Sequence, residues 1–384
     1  MIDRLPAYWR KHFGATKPEV IIRAPGRINI IGEHTDYNEG WVMPGAIAQS
    51  VYIMIARSDG PHHHWVAADV DDEIRLDSSH DPRALPLWAK YILGALAFKE
   101  ITGSLNIYIG GDLPVGAGVS SSSSLVCGLF YGLQEMFGGT SSREELALLA
   151  ARVEREVIGL QGGIMDQFAI MMGKEHHVMM LDCRTRMHQH IQAEIPGCRW
   201  LLINTKVKHQ LIDSDYNSRA DECRQAVDII CKVFPEVRSL RDVDKEMLSH
   251  VHLSETLLKR VTFVIEENRR VHEMRDALKN MDPNHAGDLL KGSHHGLRYE
   301  YEVSCAELDH LADFANRDSR VYGARMMGGG FGGCVICFAK EKDVDTFEQD
   351  VIKSYSDQFG FSPDIIEFIL HDGVEDITSS VFFK

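Results

Sequence analysis

Apolar residues recur in two rhythms along this chain of 384 residues, and the change from one to the other marks out its elements. Leu105-Asn106-Ile107-Tyr108-Ile109 alternates, which predicts a strand. Leu125, Leu129, Phe130, Leu133 and Phe137 keep helical spacing instead. Earlier, Val20-Ile21-Ile22 begins a strand that Pro25-Gly26 breaks and that Arg27-Ile28-Asn29-Ile30-Ile31 resumes. Trp88 to Gly94 starts a helix, with aromatics that serve as core or border a flat ring. Ser142-Arg143-Glu144-Glu145 has the form of a capping box and opens a helix running to about Ile158. After Gln161-Gly162-Gly163, the run to Phe168 opens another. Past residue 184 the pattern changes: Arg199 to Asn204 reads as a strand, and Ser214 to Arg219 leads into a helix reaching about Val233. Charged amphipathic helices follow as far as about Ala315, then a glycine loop, Met326 to Gly333, and a strand, Cys334 to Phe338.

The junction between the strand at 105–109 and the helix at 125–137 organises the rest. It holds Pro114, Gly116, Ala117, Gly118 and Val119, then five serines, Ser120, Ser121, Ser122, Ser123 and Ser124, where the helix should start. Glycines permit unusual backbone angles. A helix N-terminus offers free N–H groups and the positive end of its dipole, so strand, glycine loop and helix together make an anion seat. Gly/Ser runs are often flexible linkers, but strong apolar segments flank this one on both sides. It lacks the Gly-Lys-Ser/Thr ending of a Walker A loop, and no Val-Ala-Ile-Lys strand of the protein-kinase type follows.

Composition narrows the function. Length suggests two domains. A formal net charge of −15, with no basic cluster, argues against nucleic-acid or anionic-membrane partners. There is no cationic-then-apolar leader and no apolar run of spanning length. Eight scattered cysteines read as reduced thiols of a cytoplasmic protein. Cys334 and Cys337 sit in an apolar strand whose geometry sends them to opposite faces. His62-His63-His64 with Asp69, Asp71 and Asp72 reads as a solvated connection between strands, since no ligand spacing is apparent.

Three places carry candidate chemistry. Glu33 to Tyr37 packs two carboxylates, an imidazole and two hydroxyls into five residues, a density that suits a ligand rich in hydroxyls or an exposed hairpin loop. Glu154 shares a helical face with Ala150, Ala151, Val157 and Ile158, and a carboxylate on an apolar stripe needs an ion-pair partner or a metal. Asp166 falls in the first turns of its helix, where it also complements the dipole. Five glycines within Gly328 to Gly333 cannot be strand interior; they form a mobile loop or a backbone lying close to something bound.

Three separated segments resemble one family. Gly26 to Tyr37, with Gly32-Glu33-His34-Thr35-Asp36 at its centre, is similar to the galactokinase signature. Pro114 to Leu125 resembles the phosphate loop of the galacto-, homoserine, mevalonate and phosphomevalonate kinase superfamily, and Gly323 to Cys334 its third motif. Gly163 to Phe168, Ser214 to Arg219 and Ser293 to Arg298 are also galactokinase-like, so the resemblance spans nearly the whole chain. It implies an α+β fold of two domains: residues 1–198 with the Gly/Ser phosphate loop, and residues 199–384 with a ferredoxin-like sheet closing the site. It implies ATP and Mg²⁺ with galactose as acceptor, and a monomer. By motif, Asp166 matches the catalytic carboxylate and Arg27 the arginine beside it. Ser122 and Glu154 match magnesium ligands. Glu33, His34, Asp36, Gly163 and Tyr216 match sugar-contacting positions. Trp88 falls, with Tyr91, where the family borders adenine, and Pro114 to Ser124 where it meets the phosphates. Ala117, Ser123 and Gln161-Gly162 depart from the usual pattern, and Gly162 opens the sugar wall to change. Kinases for galacturonate, arabinose or N-acetylgalactosamine, and a non-catalytic sugar sensor, share this resemblance.

Overall fold

The computed structural model describes residues 1–77, 81–114, 116–208 and 212–382. Val115, inside the serine-loop motif, lies outside the described residues. Among the described residues, thirteen strands form three sheets. In chain order they are β1 (Val20–Asn29), β2 (Trp41–Val42), β3 (Pro44–Arg57), β4 (His63–Ala67), β5 (Asp72–Leu76), β6 (Leu105–Gly111), β7 (His177–Asp182), β8 (His188–Gln192), β9 (Cys198–Lys208), β10 (Val321–Met327), β11 (Gly332–Lys340), β12 (Asp364–Ile366) and β13 (Glu375–Asp376). A six-stranded sheet runs β13-β1-β3-β6-β4-β5, a four-stranded one β10-β11-β9-β12, and a small one β2-β7-β8. β9 begins at Cys198, and every strand from there to β12 joins the four-stranded sheet, whereas β13 crosses back to pair with β1. His63 and His64 lie within β4 rather than in a connection between strands.

The alternation in the sequence becomes two faces. Ile22, Ala24, Val51, Ile53, Ile107 and Ile109 enter the large core, while Ile21, Tyr52, Met54 and Tyr108 pack with Leu5 and Trp9 on the other side. β1 is therefore buried along its whole length. Pro25-Gly26 does not end it. The register slips between Pro25 and Arg27, a bulge that absorbs the proline and lets the strand continue. In β11, Cys334, Ile336 and Phe338 face the large core, while Val335, Cys337 and Ala339 face a second core. The four-stranded sheet is thus a wall shared by both cores, which is why its strands read as unbroken apolar runs.

Among the described residues, eleven α-helices cover these sheets: α1 (Leu5–Phe13), α2 (Leu87–Phe98), α3 (Ser121–Phe137), α4 (Arg143–Val153), α5 (Met165–Met172), α6 (Ile212–Ile230), α7 (Glu255–Lys279), α8 (Pro283–Tyr299), α9 (Ala306–Arg317), α10 (Val344–Phe359) and α11 (Thr378–Phe382). α3 packs on β1 and β3 through glycines: a Cβ on Gly128 would stand 2.9 Å from the Ala24 Cβ, and one on Gly132 2.9 Å from Ile22. α4 starts at the capping box, with Ser142 and Glu145 each satisfying the other's backbone N–H. It does not stay α-helical to Ile158. From Glu154 the turn widens to a π-helix that ends at Gly159. The wider turn breaks the spacing of three and four, so Glu154 stays buried while Val157 turns outward to 41% exposure.

Candidate active site

Arg27 follows the bulge in β1, and its backbone N–H donates to Val119 O at 3.1 Å, which ties the strand to the serine loop. Its guanidinium donates to both oxygens of Asp166, Nε to Oδ1 at 2.7 Å and Nη2 to Oδ2 at 3.1 Å, and to Gly118 O at 2.6 Å. Ser120, the left-handed residue preceding α3, also donates its hydroxyl to Asp166 Oδ2. A carboxylate accepts at roughly four lone-pair sites, so Asp166 keeps capacity for one further donor. Burial alone would lower the pKa of Arg27. The Asp166 charge, with those of Glu33 and Asp36, outweighs this and raises it.

The chain leaving β1 turns at Gly32, whose φ is +96° and whose N–H donates to Glu267 Oε1 at 3.0 Å. A Cβ there would meet Val42 Cα at 2.8 Å, so only glycine fits. Glu33 then points inward, and three donors converge on its Oε1: both terminal nitrogens of Arg325 at 3.2 Å and the Gly328 N–H at 2.8 Å. His34 shares a 2.8 Å hydrogen bond between Nδ1 and the Tyr37 hydroxyl. Burial, then the Arg219 charge, lowers its pKa to about 3, so the imidazole is neutral. Asp36 is pushed the other way, up to about 7, by burial and by the Asp166 charge. Gly163 packs against it closely enough that a Cβ would lie 2.6 Å from the Asp36 Cβ.

These groups meet. Arg27, Glu33, His34, Asp36 and Asp166 line one cavity of about 180 Å³ together with Glu154, Gly163 and Tyr216. Gly328 and Gly329 of the β10–β11 loop close it, the backbone approach that the run of glycines foreshadowed. A second, mainly apolar cavity of about 280 Å³ lies beside the serine loop, lined by Trp88, Tyr91, Val70 and Ile109 with Ser121 and Ser122. Trp88 is fixed there by its Nε1 donating to Asp72 Oδ2 at 2.8 Å. Along the loop, Gly116 and Gly118 are exposed at φ +76° and +75°, and Pro114 is half-buried. Ala117 and Val119 are buried anchors; Ala117 O accepts from the Cys334 thiol. Ser124 is buried too, its hydroxyl donating to Pro25 O at 2.7 Å.

By motif Ser122 and Glu154 are both magnesium ligands; the hydroxyl bonded to Glu154 is that of Ser123, 2.6 Å from Oε1. Neighbouring helical positions point about 100° apart, and Ser122 faces the apolar cavity instead. The other carboxylate oxygen accepts from Gln167 Nε2 at 2.7 Å. Burial raises the Glu154 pKa to about 7; the Ser123 bond opposes the shift and the Asp166 charge adds to it. Glu154 makes no ion pair among the described residues, so it is not half of a buried salt bridge. Among the described residues, no cluster of three or more His, Cys, Asp or Glu side chains forms a ligand set there either. A buried carboxylate without a cationic partner among the described residues, beside the serine loop, fits Mg²⁺, which takes one or two carboxylates and completes its shell with other oxygen ligands and water. Gln167 and Arg325 are the contributors that motif reading missed. Gln167 directly follows Asp166, and Arg325 lies in the third motif, so both were within reach of it.

Arg27 and Asp166 thus line one cavity, and the first turn of α3, which has no side-chain cap, lines the neighbouring one. Residues 89–174 match the N-terminal domain, and residues 274–357 the C-terminal domain, of the GHMP kinases. Residues 7–57 match the galactokinase galactose-binding signature. The chain is 38% identical over 360 residues to a galactokinase of Thermotoga maritima, covering 93% of this chain and 99% of that one. It is 35% identical over 372 residues to a galactokinase of Roseiflexus, covering 95% of each. The crystal structure of Lactococcus lactis galactokinase complexed with galactose superposes with a TM-score of 0.90, at 30% identity over 97% of this chain and 99% of that one. A mevalonate kinase, at 18% identity over 92% of this chain and 100% of that one with a TM-score of 0.65, shares the fold. The chain belongs to the galactokinase family.

Proposed function

We propose that the protein transfers the terminal phosphoryl group of ATP, with Mg²⁺, to the anomeric hydroxyl of D-galactose, giving galactose 1-phosphate and ADP. The observation that carries this is the Arg27–Asp166 pair opening onto a cavity that also holds Glu33, His34 and Asp36. Phosphoryl transfer needs positioning and charge neutralisation more than covalent chemistry. Asp166 has one accepting site left, and we assign it to the anomeric hydroxyl, whose proton it takes as the oxygen attacks the terminal phosphorus and ADP leaves. Arg27 fixes that carboxylate from both oxygens and, through Gly118 O, fixes the phosphate loop to it. Glu33, with Oε1 committed to Arg325 and Gly328, offers Oε2 to the sugar O6. Asp36 accepts from O3 and O4, and Gly163 leaves it room to do so. Trp88 and Tyr91 border the adenine, and the loop N–H groups with the start of α3 meet the phosphates. Glu154 would hold the metal ion, with Ser122 as the second ligand that the family resemblance implies and Ser123 on the carboxylate itself. Magnesium, when bound, would neutralise phosphate charge in the transition state.

We also place the protein in the cytosol as a monomer. Its cysteines are all free thiols, which supports a reducing compartment. Among the described residues, no helix is long and apolar enough to cross a membrane. ADP release measured with ATP and Mg²⁺ across a panel of sugars tests the activity. Turnover should be strong with galactose and poor with glucose. No ADP release with galactose, or a stronger response to N-acetylgalactosamine, galacturonate or arabinose, overturns the assignment.

A further inference from the structure

We propose that Gln167 is the positioning residue of the metal seat, holding Glu154 through its amide nitrogen and offering its amide oxygen to a water in the cation's shell. This rests on the reading that Mg²⁺ accompanies ATP at Glu154. Gln167 follows Asp166 on α5, so the two side chains diverge by about 100°. Asp166 turns to Arg27, and Gln167 turns to Glu154. Gln167 is 1% exposed, yet it lines the same cavity as both carboxylates.

With Glu154 ionised, the form in which a carboxylate binds a metal, the amide cannot sit the other way round. A charged carboxylate only accepts hydrogen bonds, so the nitrogen must face Glu154 Oε2, where it lies at 2.7 Å. That leaves Gln167 Oε1 at the far end, buried and without a hydrogen-bond partner among the described residues. A buried amide oxygen left unpaired is costly and calls for an explanation. Magnesium sheds its waters reluctantly, and each retained water is a donor that needs an acceptor. An orphaned acceptor beside a buried carboxylate with no ion-pair partner meets that need. Ser123 holds the other oxygen of Glu154 at 2.6 Å, so the carboxylate is pinned from both sides before any ion arrives. A pinned ligand loses little freedom on binding, which is how such outer groups raise metal affinity.

The test uses the full-length protein with saturating ADP and no sugar, titrated with Mn²⁺ and read by water-proton relaxation. Gln167→Met keeps the length of the side chain and removes both amide functions. It should weaken Mn²⁺ binding by about 10–100-fold while calorimetric affinity for galactose, measured without nucleotide, is unchanged. Gln167→Asn keeps the amide but withdraws it from Glu154; it should shift Mn²⁺ affinity the same way and decides the matter if Gln167→Met does not fold. Parental Mn²⁺ affinity in a folded variant overturns the role of Gln167 and leaves the metal reading standing. Lost galactose affinity with parental Mn²⁺ binding overturns it too, by giving the free oxygen to the sugar. A parent that binds no Mn²⁺ in the presence of ADP overturns the metal reading itself.

Discussion

Asp36 and Asp166 stand in one cavity, yet their neighbours prepare them for different tasks. Asp166 is held by Arg27 and Ser120, so its geometry is set before substrate enters. Replacing it with Asn removes the proton acceptor without changing the shape of the cavity. Asp166→Asn should lose about 10²–10⁴-fold in turnover while calorimetry still finds galactose bound. Near-parental ADP release would put the base elsewhere. Asp36 makes no ion pair among the described residues, and its pKa is raised to about 7. Sugar hydroxyls donate best to the charged form, so binding favours the ionised carboxylate and drives its pKa back down. Galactose affinity should therefore be full above pH 7 and fall as pH drops through about 7. Calorimetric titrations from acid to neutral pH check this, and Asp36→Asn should flatten the dependence as well as weaken binding. A parental pH profile in that variant would mean another group titrates.

The helix α3 shows what an element contributes beyond its side chains. Its N-terminus continues the serine loop, so its height above β1 sets how the loop meets Arg27. Gly128 and Gly132 allow that close approach, with Ala24, Ile22 and Ile53 directly beneath them. Alanine is the better helix former, but at Gly128 its methyl would enter a space already filled by Ala24 Cβ at 2.9 Å. Overpacking of this kind typically costs about 1–3 kcal/mol, which exceeds the helix gain of about 1 kcal/mol. Gly128→Ala should thus lower the urea midpoint without changing the slope of the transition. An unchanged or higher midpoint would show that α3 can lift off β1 freely. The π-turn after α4 acts beyond Glu154: that residue stays on the buried face that Ala150 and Ala151 set, while Val157 turns outward.

Over the whole molecule, the site is closed from the second half of the chain. Arg325 on β10 is fully buried and reaches across to Glu33, Ile30 O and Asn29 O. Cys334 and Gly333 on β11 stand against the serine loop through Ala117. Arg325 therefore joins the four-stranded sheet to the turn that carries Glu33. Arg325→Met would leave Glu33, itself 2% exposed, with only the Gly328 N–H on Oε1. Breaking a buried pair from one side typically costs about 3–5 kcal/mol. The variant should show that loss in chemical denaturation, together with a raised KM for galactose. Parental stability with normal KM would mean that Glu33 is held by its own turn.

Whatever repeats along the chain was legible from the sequence. The alternation at 105–109, the helical spacing at 125–137 and the capping box at Ser142 follow from local backbone geometry, and each appears as read. The motif residues Arg27, Glu33, His34, Asp36, Gly163, Asp166 and Tyr216 do share one cavity. Pattern went astray where geometry departs from its ideal period: the proline in β1 became a bulge, and the stripe around Glu154 slipped in a π-turn. Tertiary packing alone decided which atoms touch. Arg27 meets Asp166 across 139 residues, Arg325 meets Glu33 across 292, and Ser123 rather than Ser122 reaches Glu154 across 31. No period encodes such meetings, because each depends on how far one helix is turned and how closely it is packed, and a single helical step of about 100° exchanges one partner for another.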